Sequence, residues 1–176
     1  MQPAESPPIV FGLVAVVVLV LANAFFVAAE FSLVGVRRTR LDELAAAGNA
    51  KARLARRAVQ SLGRYISATQ LGITLTSLGL GWIGEPALAG LISGGFSWLP
   101  KPFAAIATHG VASAIAFIII SILHIILGEL VPKAVALVYP ETVSMWLTPP
   151  LTAIPDTAEL VGINSRAVYA LAAGIA

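Results

Sequence analysis

Glu129 stands one residue past a glycine and three before a proline, in Gly128-Glu129-Leu130-Val131-Pro132-Lys133, at the end of a long apolar run. In an α-helix the N–H of residue 132 would bond the carbonyl of Gly128, but proline has no N–H and its ring crowds that oxygen. The segment therefore offers an anionic side chain beside an unpartnered backbone oxygen, at membrane depth. Hard oxygen ligands of this kind suit a small cation, and ionisable groups within lipid are costly enough to mark function. The plain alternative is that Glu129 only neutralises Lys133 one turn later.

Other polar residues fall where they can join this site. Gln70, Thr74 and Ser77, together with Ser67 and Gly81, recur at spacings of three or four and so share one helix face. Taken alone they read as interhelical hydrogen bonding; beside a carboxylate they read as part of a converging oxygen cage. Ser32 either bonds back to a carbonyl of its own helix or turns its hydroxyl to the same cavity. Glu30 lies seven residues from Asn23 on the same face, close enough to a basic stretch to pair with an arginine. Glu129, Ser32, Ser77 and the Gly128 carbonyl are the expected first ligands, with Gln70 and Thr74 next. His109 and His124 are expected as packed or interfacial histidines. The chain carries no HExxH zinc pattern, no G-x-S-x-G elbow and no Walker A loop, so no enzyme is expected.

These side chains sit in a chain of 176 residues that is 58% hydrophobic and only 11% charged, with a mean hydropathy of +0.90. Apolar runs of about 18 or more residues read as transmembrane helices, and three are present. The absence of cysteine excludes disulfides, thiolate metal sites and cysteine nucleophiles. The expected class is an all-α integral membrane protein with three spans plus short re-entrant and juxtamembrane helices.

Helix one covers Ile9 to Val36. No basic residue precedes it and the bases follow it, which argues against a cleaved signal peptide and places the N-terminus outside. Arg37, Arg38, Arg40, Lys51, Arg53, Arg56, Arg57 and Arg64 are eight of the eleven Lys and Arg residues. The positive-inside rule puts that connection in the cytoplasm. Asp42-Glu43 followed by Leu44, Ala47, Lys51, Leu54, Ala58 and Leu62 predicts an amphipathic helix on the inner leaflet, either drawn to anionic headgroups or offering a docking surface to a cytosolic domain. Helix two is expected from Tyr65 to Trp82, broken by Gly84-Glu85-Pro86, with Ala87 to Leu99 as an outer hairpin or re-entrant piece and Lys101-Pro102 as an external turn. Helix three is expected from Phe103 to Leu127, with Ser113, Ser121, His124 and Gly128 on one face. Pro149, Pro150 and Pro155 argue against a straight helix after Tyr139-Pro140-Glu141. The C-terminus is expected in the cytoplasm.

Three ordered stretches carry a family resemblance. Asn23 to Leu33 with Arg37 to Leu41, then Gln70-Leu71-Gly72-Ile73-Thr74, then Gly128 to Lys133 resemble the signatures of the CorC/CNNM transmembrane domain, over roughly Asn23 to Leu151. The resemblance implies a homodimeric magnesium exporter of the cell (inner or plasma) membrane, with Mg2+ as cargo and Na+ as the usual coupling ion. It places the family's acidic residue on Glu129, its serine on Ser32 and its helix-two polar positions on Gln70, Thr74 and Ser77. It adds an Ala28 carbonyl if helix one bends at Ser32. Residues 1–155 form the expected membrane domain and 156–176 a juxtamembrane tail. The paired cytosolic CBS modules that follow in full members are absent from this sequence, and no nucleic-acid partner is expected. A non-transporting sensor or scaffold, and an uncoupled Mg2+ channel, are the competing readings.

Overall fold

The computed structural model describes residues 9–93 and 107–160. The Lys101-Pro102 turn, the segment 94–99, the side chain of His109 and the tail from 161 lie outside the described residues. Among the described residues there is no strand, and three helical stretches are long and apolar enough to cross a bilayer: Val10–Gly35, Leu62–Ser93 and Gly110–Val138. An α-helix satisfies its backbone internally, which is the condition for spanning lipid.

Helix α1, Ile9–Gly35, is unbroken and passes straight through Ser32. Its large side chains at Val10, Phe11, Val14, Val17, Val18 and Leu21 are exposed, as a lipid-facing surface requires, whereas Val16, Val20, Asn23, Val27 and Ala29 are buried. The basic connection folds as two short helices, α2 (Arg38–Ala46) and α3 (Ala50–Gln60), where the sequence predicted one. Gly48 has φ +93°, a left-handed conformation that glycine adopts at little cost. Asn49 then caps α3 by accepting from the Lys51 and Ala52 N–H groups at 3.0 and 3.1 Å. Breaking the helix at Gly48 also changes its inner face: Leu41, Ala45, Ala52, Ala55, Ala58 and Val59 are buried, while Ala47 of the predicted stripe is exposed. Arg56 of α3 reaches Asp42 of α2 at 3.5 Å across the exposed side of this pair of helices.

Helix α4, Leu62–Ser93, runs through Pro86, so the predicted break at Gly84-Glu85-Pro86 does not form. At about 1.5 Å per residue it is about 48 Å long, more than the roughly 30 Å of hydrocarbon it must cross. Its glycines set its distance from α1: a Cβ at Gly72 would stand 2.7 Å from the Phe26 ring. The third span begins with a π turn, Ala107–Ala112, and continues as α5 (Ser113–Leu123). A second π segment, His124–Leu130, leads into α6 (Val131–Val138).

Helix α7, Pro140–Leu160, continues through Pro149, Pro150 and Pro155. The sequence had argued against a straight helix there. Ser144, Thr148 and Thr152 bond back to the carbonyls of Glu141, Ser144 and Pro149 at 3.1, 2.6 and 2.7 Å, which ties up carbonyls before and beside the proline pair. Leu151 buries against Ala52, Ala55 and the foot of α1, and Lys51 Nζ lies 3.2 Å above the Trp146 ring. A second apolar cluster, Val16, Val20, Leu80 and Ile120, forms near the other end of the spans. Between these two apolar plugs, α1, α4 and the third span meet in a polar layer.

Candidate cation site

Asn23 is the hub of that layer. It is 2% exposed, and its Nδ2 donates to the carbonyl of Gly128 at 3.0 Å. That oxygen is the one Pro132 leaves without a helical donor, so the unpartnered carbonyl expected from the sequence is capped by a side chain of another helix. The register around it has adjusted as well: the Val131 N–H bonds the Ile126 carbonyl, five residues back. Such a π turn is a common way for a helix to absorb a local misfit, and is often found at functional sites. Gly128 is required for the approach, since a Cβ there would meet Asn23 Nδ2 at 3.2 Å and His124 Cδ2 at 2.9 Å.

Because Gly128 O can only accept, the amide is fixed with Nδ2 toward the π segment and Oδ1 toward α4. Thr76 Oγ1 lies 2.8 Å from Asn23 Oδ1, 2.8 Å from the Gly72 carbonyl and 3.0 Å from the Ile73 carbonyl. One hydroxyl proton cannot serve three acceptors. Ser77 Oγ stands 3.4 Å from the same Oδ1 and 3.3 Å from His124 Nε2. Asn23 Oδ1 is thus shared between two hydroxyls of α4, each of which has another partner within reach.

Beside it is a cleft of about 740 Å³, walled by polar Asn23, Glu30, Gln70, Thr74, Ser77, His124 and Glu129 and by apolar Val27, Phe31, Leu71 and Ile73. Glu30 comes from α1, with its carboxylate 3.2 Å from the Thr69 hydroxyl, which also lies 3.0 and 2.9 Å from the Tyr65 and Ile66 carbonyls; among the described residues no ion pair of Glu30 with an arginine is found. Arg37, the base nearest it in sequence, bonds Glu141 at 3.0 Å. Glu129 comes from the π segment. It makes no ion pair with Lys133, whose Nζ lies 4.3 Å above the Phe31 ring. Two carboxylates thus face one cleft from two helices.

Four of the seven sequence-chosen positions meet there: Glu129, Gln70, Thr74 and Ser77. The Thr74 hydroxyl donates to the Gln70 carbonyl at 2.8 Å and keeps its lone pairs. The other three do not line the cleft. Ser32 is fully buried and donates to the Ala29 carbonyl at 3.0 Å. Ala28 sits in an unbroken stretch of α1, and Gly128 presents its oxygen to Asn23. The sequence reading missed Asn23, Glu30 and His124 as polar wall residues. Asn23 was legible as the one non-apolar residue between Ile9 and Ala29, seven before Glu30. Among the described residues no group of three or more His, Asp and Glu side chains comes together as a metal cluster, so a cation would rely on the amide and hydroxyl oxygens as well as the acids.

The class is therefore a multi-pass helical membrane domain built around a buried polar layer. The Cyclin M transmembrane N-terminal domain (CNNM) family model matches residues 14–154, and the chain belongs to that family. It is 46% identical to UPF0053 protein YhdT of Bacillus subtilis over 140 residues, and 41% identical to UPF0053 protein YugS of the same organism over 145 residues. These alignments cover 80% and 81% of this chain but 30% and 33% of the relatives. A more distant relative is the Polyamine export protein of Haemophilus influenzae, 32% identical over 133 residues, covering 76% of this chain and 30% of that protein. The chain spans about a third of the length of the curated relatives it matches.

Proposed function

We propose that this chain is the membrane unit of a cation exporter, with Mg2+ as its cargo and the cleft between α1, α4 and the π segment as its path. The observation that carries the reading is the convergence of Glu30 and Glu129 on one oxygen-lined cleft at membrane depth. Charged groups are held there only at a cost, and a passing cation offsets it.

The size of the cleft bears on how Mg2+ enters. At about 30 Å³ per water, an ion with six waters occupies roughly 200 Å³. A cleft of about 740 Å³ admits the hydrated ion. Glu129, Ser77, Gln70, Thr74, Glu30 and Asn23 Oδ1 are then the groups that replace waters as the walls close. This differs from the bare-ion cage drawn from the sequence, which needed Ser32 and a free Gly128 oxygen. Exchange against Na+ follows if Na+ competes for the same oxygens. The eight bases at and between α1 and α4 favour a cytoplasmic position for α2 and α3, hence an outside N-terminus, a cytoplasmic C-terminus and a place in the cell membrane. A homodimer is the proposed assembly, and cytosolic CBS modules are its proposed neighbours in longer chains.

A linear polyamine is the second reading. The apolar wall of Val27, Phe31, Leu71 and Ile73 suits methylene groups between ammonium ends, and one relative is named for polyamine export. Efflux from sealed proteoliposomes loaded with Mg2+ or with spermidine, with and without an opposing Na+ gradient, separates the readings. Sodium-driven Mg2+ efflux supports the proposal. Mg2+ flux indifferent to sodium indicates an uncoupled channel, spermidine efflux alone the polyamine reading, and no flux of either a sensor or scaffold.

A further inference from the structure

Lys133 is the one Lys or Arg in the span Gly110–Val138, and it stands one turn beyond Glu129. An ammonium so placed would be expected to pair with a carboxylate. Among the described residues it does not: no ion pair within 4.0 Å involves Lys133, Glu30 or Glu129. Its Nζ rests instead on the face of Phe31, at 4.3 Å from the ring centroid. Phe31 is in the wall of the cleft, next in sequence to Glu30. A ring face holds a cation by its quadrupole, so the lysine is seated while the carboxylates stay open to the cleft. The charge count is two acids against one base. A divalent ion balances the acids fully, and Lys133 balances them in part.

We propose that Lys133 is a tethered competitor of the transported cation, resting on Phe31 beside the cleft and opposing a divalent ion at Glu30 and Glu129. The inference rests on the reading of the cleft as the cation path. It gives the protein a built-in counter-ion: when the cargo leaves, the lysine limits the uncompensated negative charge. It also makes the Phe31 ring a setting for affinity, because the ring keeps the ammonium from closing on the acids.

The test is Mg2+ titration into the chain in nanodiscs, followed by calorimetry, for wild type, Lys133→Met, Lys133→Arg and Phe31→Leu. Removing a like charge this near the site should tighten Mg2+ binding at least about tenfold in Lys133→Met, while Lys133→Arg stays near wild type. Phe31→Leu unseats the ammonium and should weaken binding, and adding Lys133→Met to it should restore binding. A purely structural lysine would not give these opposite signs. Unchanged or weaker Mg2+ binding in Lys133→Met with a wild-type melting curve overturns the inference and leaves the cleft reading intact. If Lys133→Met does not fold, Phe31→Leu decides, and unchanged binding there overturns the inference. Wild-type chain that binds no Mg2+ overturns the reading of the cleft and this inference with it.

Discussion

Asn23 Nδ2 lies 3.0 Å from the Gly128 carbonyl oxygen, so the donor that Pro132 cannot supply within its own helix comes from α1. A buried carbonyl left unsatisfied costs about 1–3 kcal/mol, while interhelical hydrogen bonds in membranes average about 0.6 kcal/mol. Asn23→Ala removes the donor without adding bulk at a buried position. It should lower stability by about 1 kcal/mol, read as a fall in melting temperature in detergent. It should also lower Mg2+ flux more than that loss of stability explains, because the π segment carrying Glu129 loses its tie.

The α1–α4 contact gives a second expectation. A Cβ at Gly72 would stand 2.7 Å from the Phe26 ring, and overpacking of this kind costs about 1–3 kcal/mol. Gly72→Ala should therefore melt earlier than wild type. Phe26→Leu in the same chain, which removes the obstructing ring, should recover most of the loss. Absence of recovery would mean that the two helices do not meet at this pair.

The Arg37–Glu141 bridge predicts a pH dependence at the edge of the spans. The Glu141 carboxyl is held below its ordinary value of 4.5, first by a hydrogen bond with its own backbone and then by Arg37, against an opposing effect of burial. A lowered folded value means that the stabilisation is complete above the ordinary value and is lost as pH falls through the lowered one. The stability gap between wild type and Glu141→Gln should be flat from neutral pH down to about 4.5 and close below it. Because Arg37 is exposed, the gap should also shrink in high salt. A gap that closes near neutral pH contradicts the assignment.

How much of this was legible in the sequence follows from the range of each signal. The three spans were, because lipid imposes long apolar runs that any hydropathy reading detects. Pro132 correctly marked a freed carbonyl, but nothing local to Gly128 shows that Asn23, 105 residues away, reaches it. Ser32 was read two ways, and the local one holds, its hydroxyl bonded to Ala29 within the same helix. The proline rule misjudged α4, which runs through Pro86, while α7 continues through three prolines. Helix context outweighs a single missing donor when neighbouring helices and hydroxyl side chains restrain the backbone. The split of the basic connection at Gly48 turned on one left-handed residue, which an amphipathic stripe cannot reveal.

The central claim is that Glu129 is where the cation meets the protein inside the membrane. Its most direct test is Mg2+ efflux from sealed proteoliposomes holding wild type or Glu129→Gln, at equal protein incorporation and with matched melting temperatures. Glu129→Gln keeps shape and removes charge, and is expected to reduce the sodium-driven efflux at least tenfold, since a hard divalent ion depends on carboxylate oxygen. Efflux from Glu129→Gln at the wild-type rate would contradict the account.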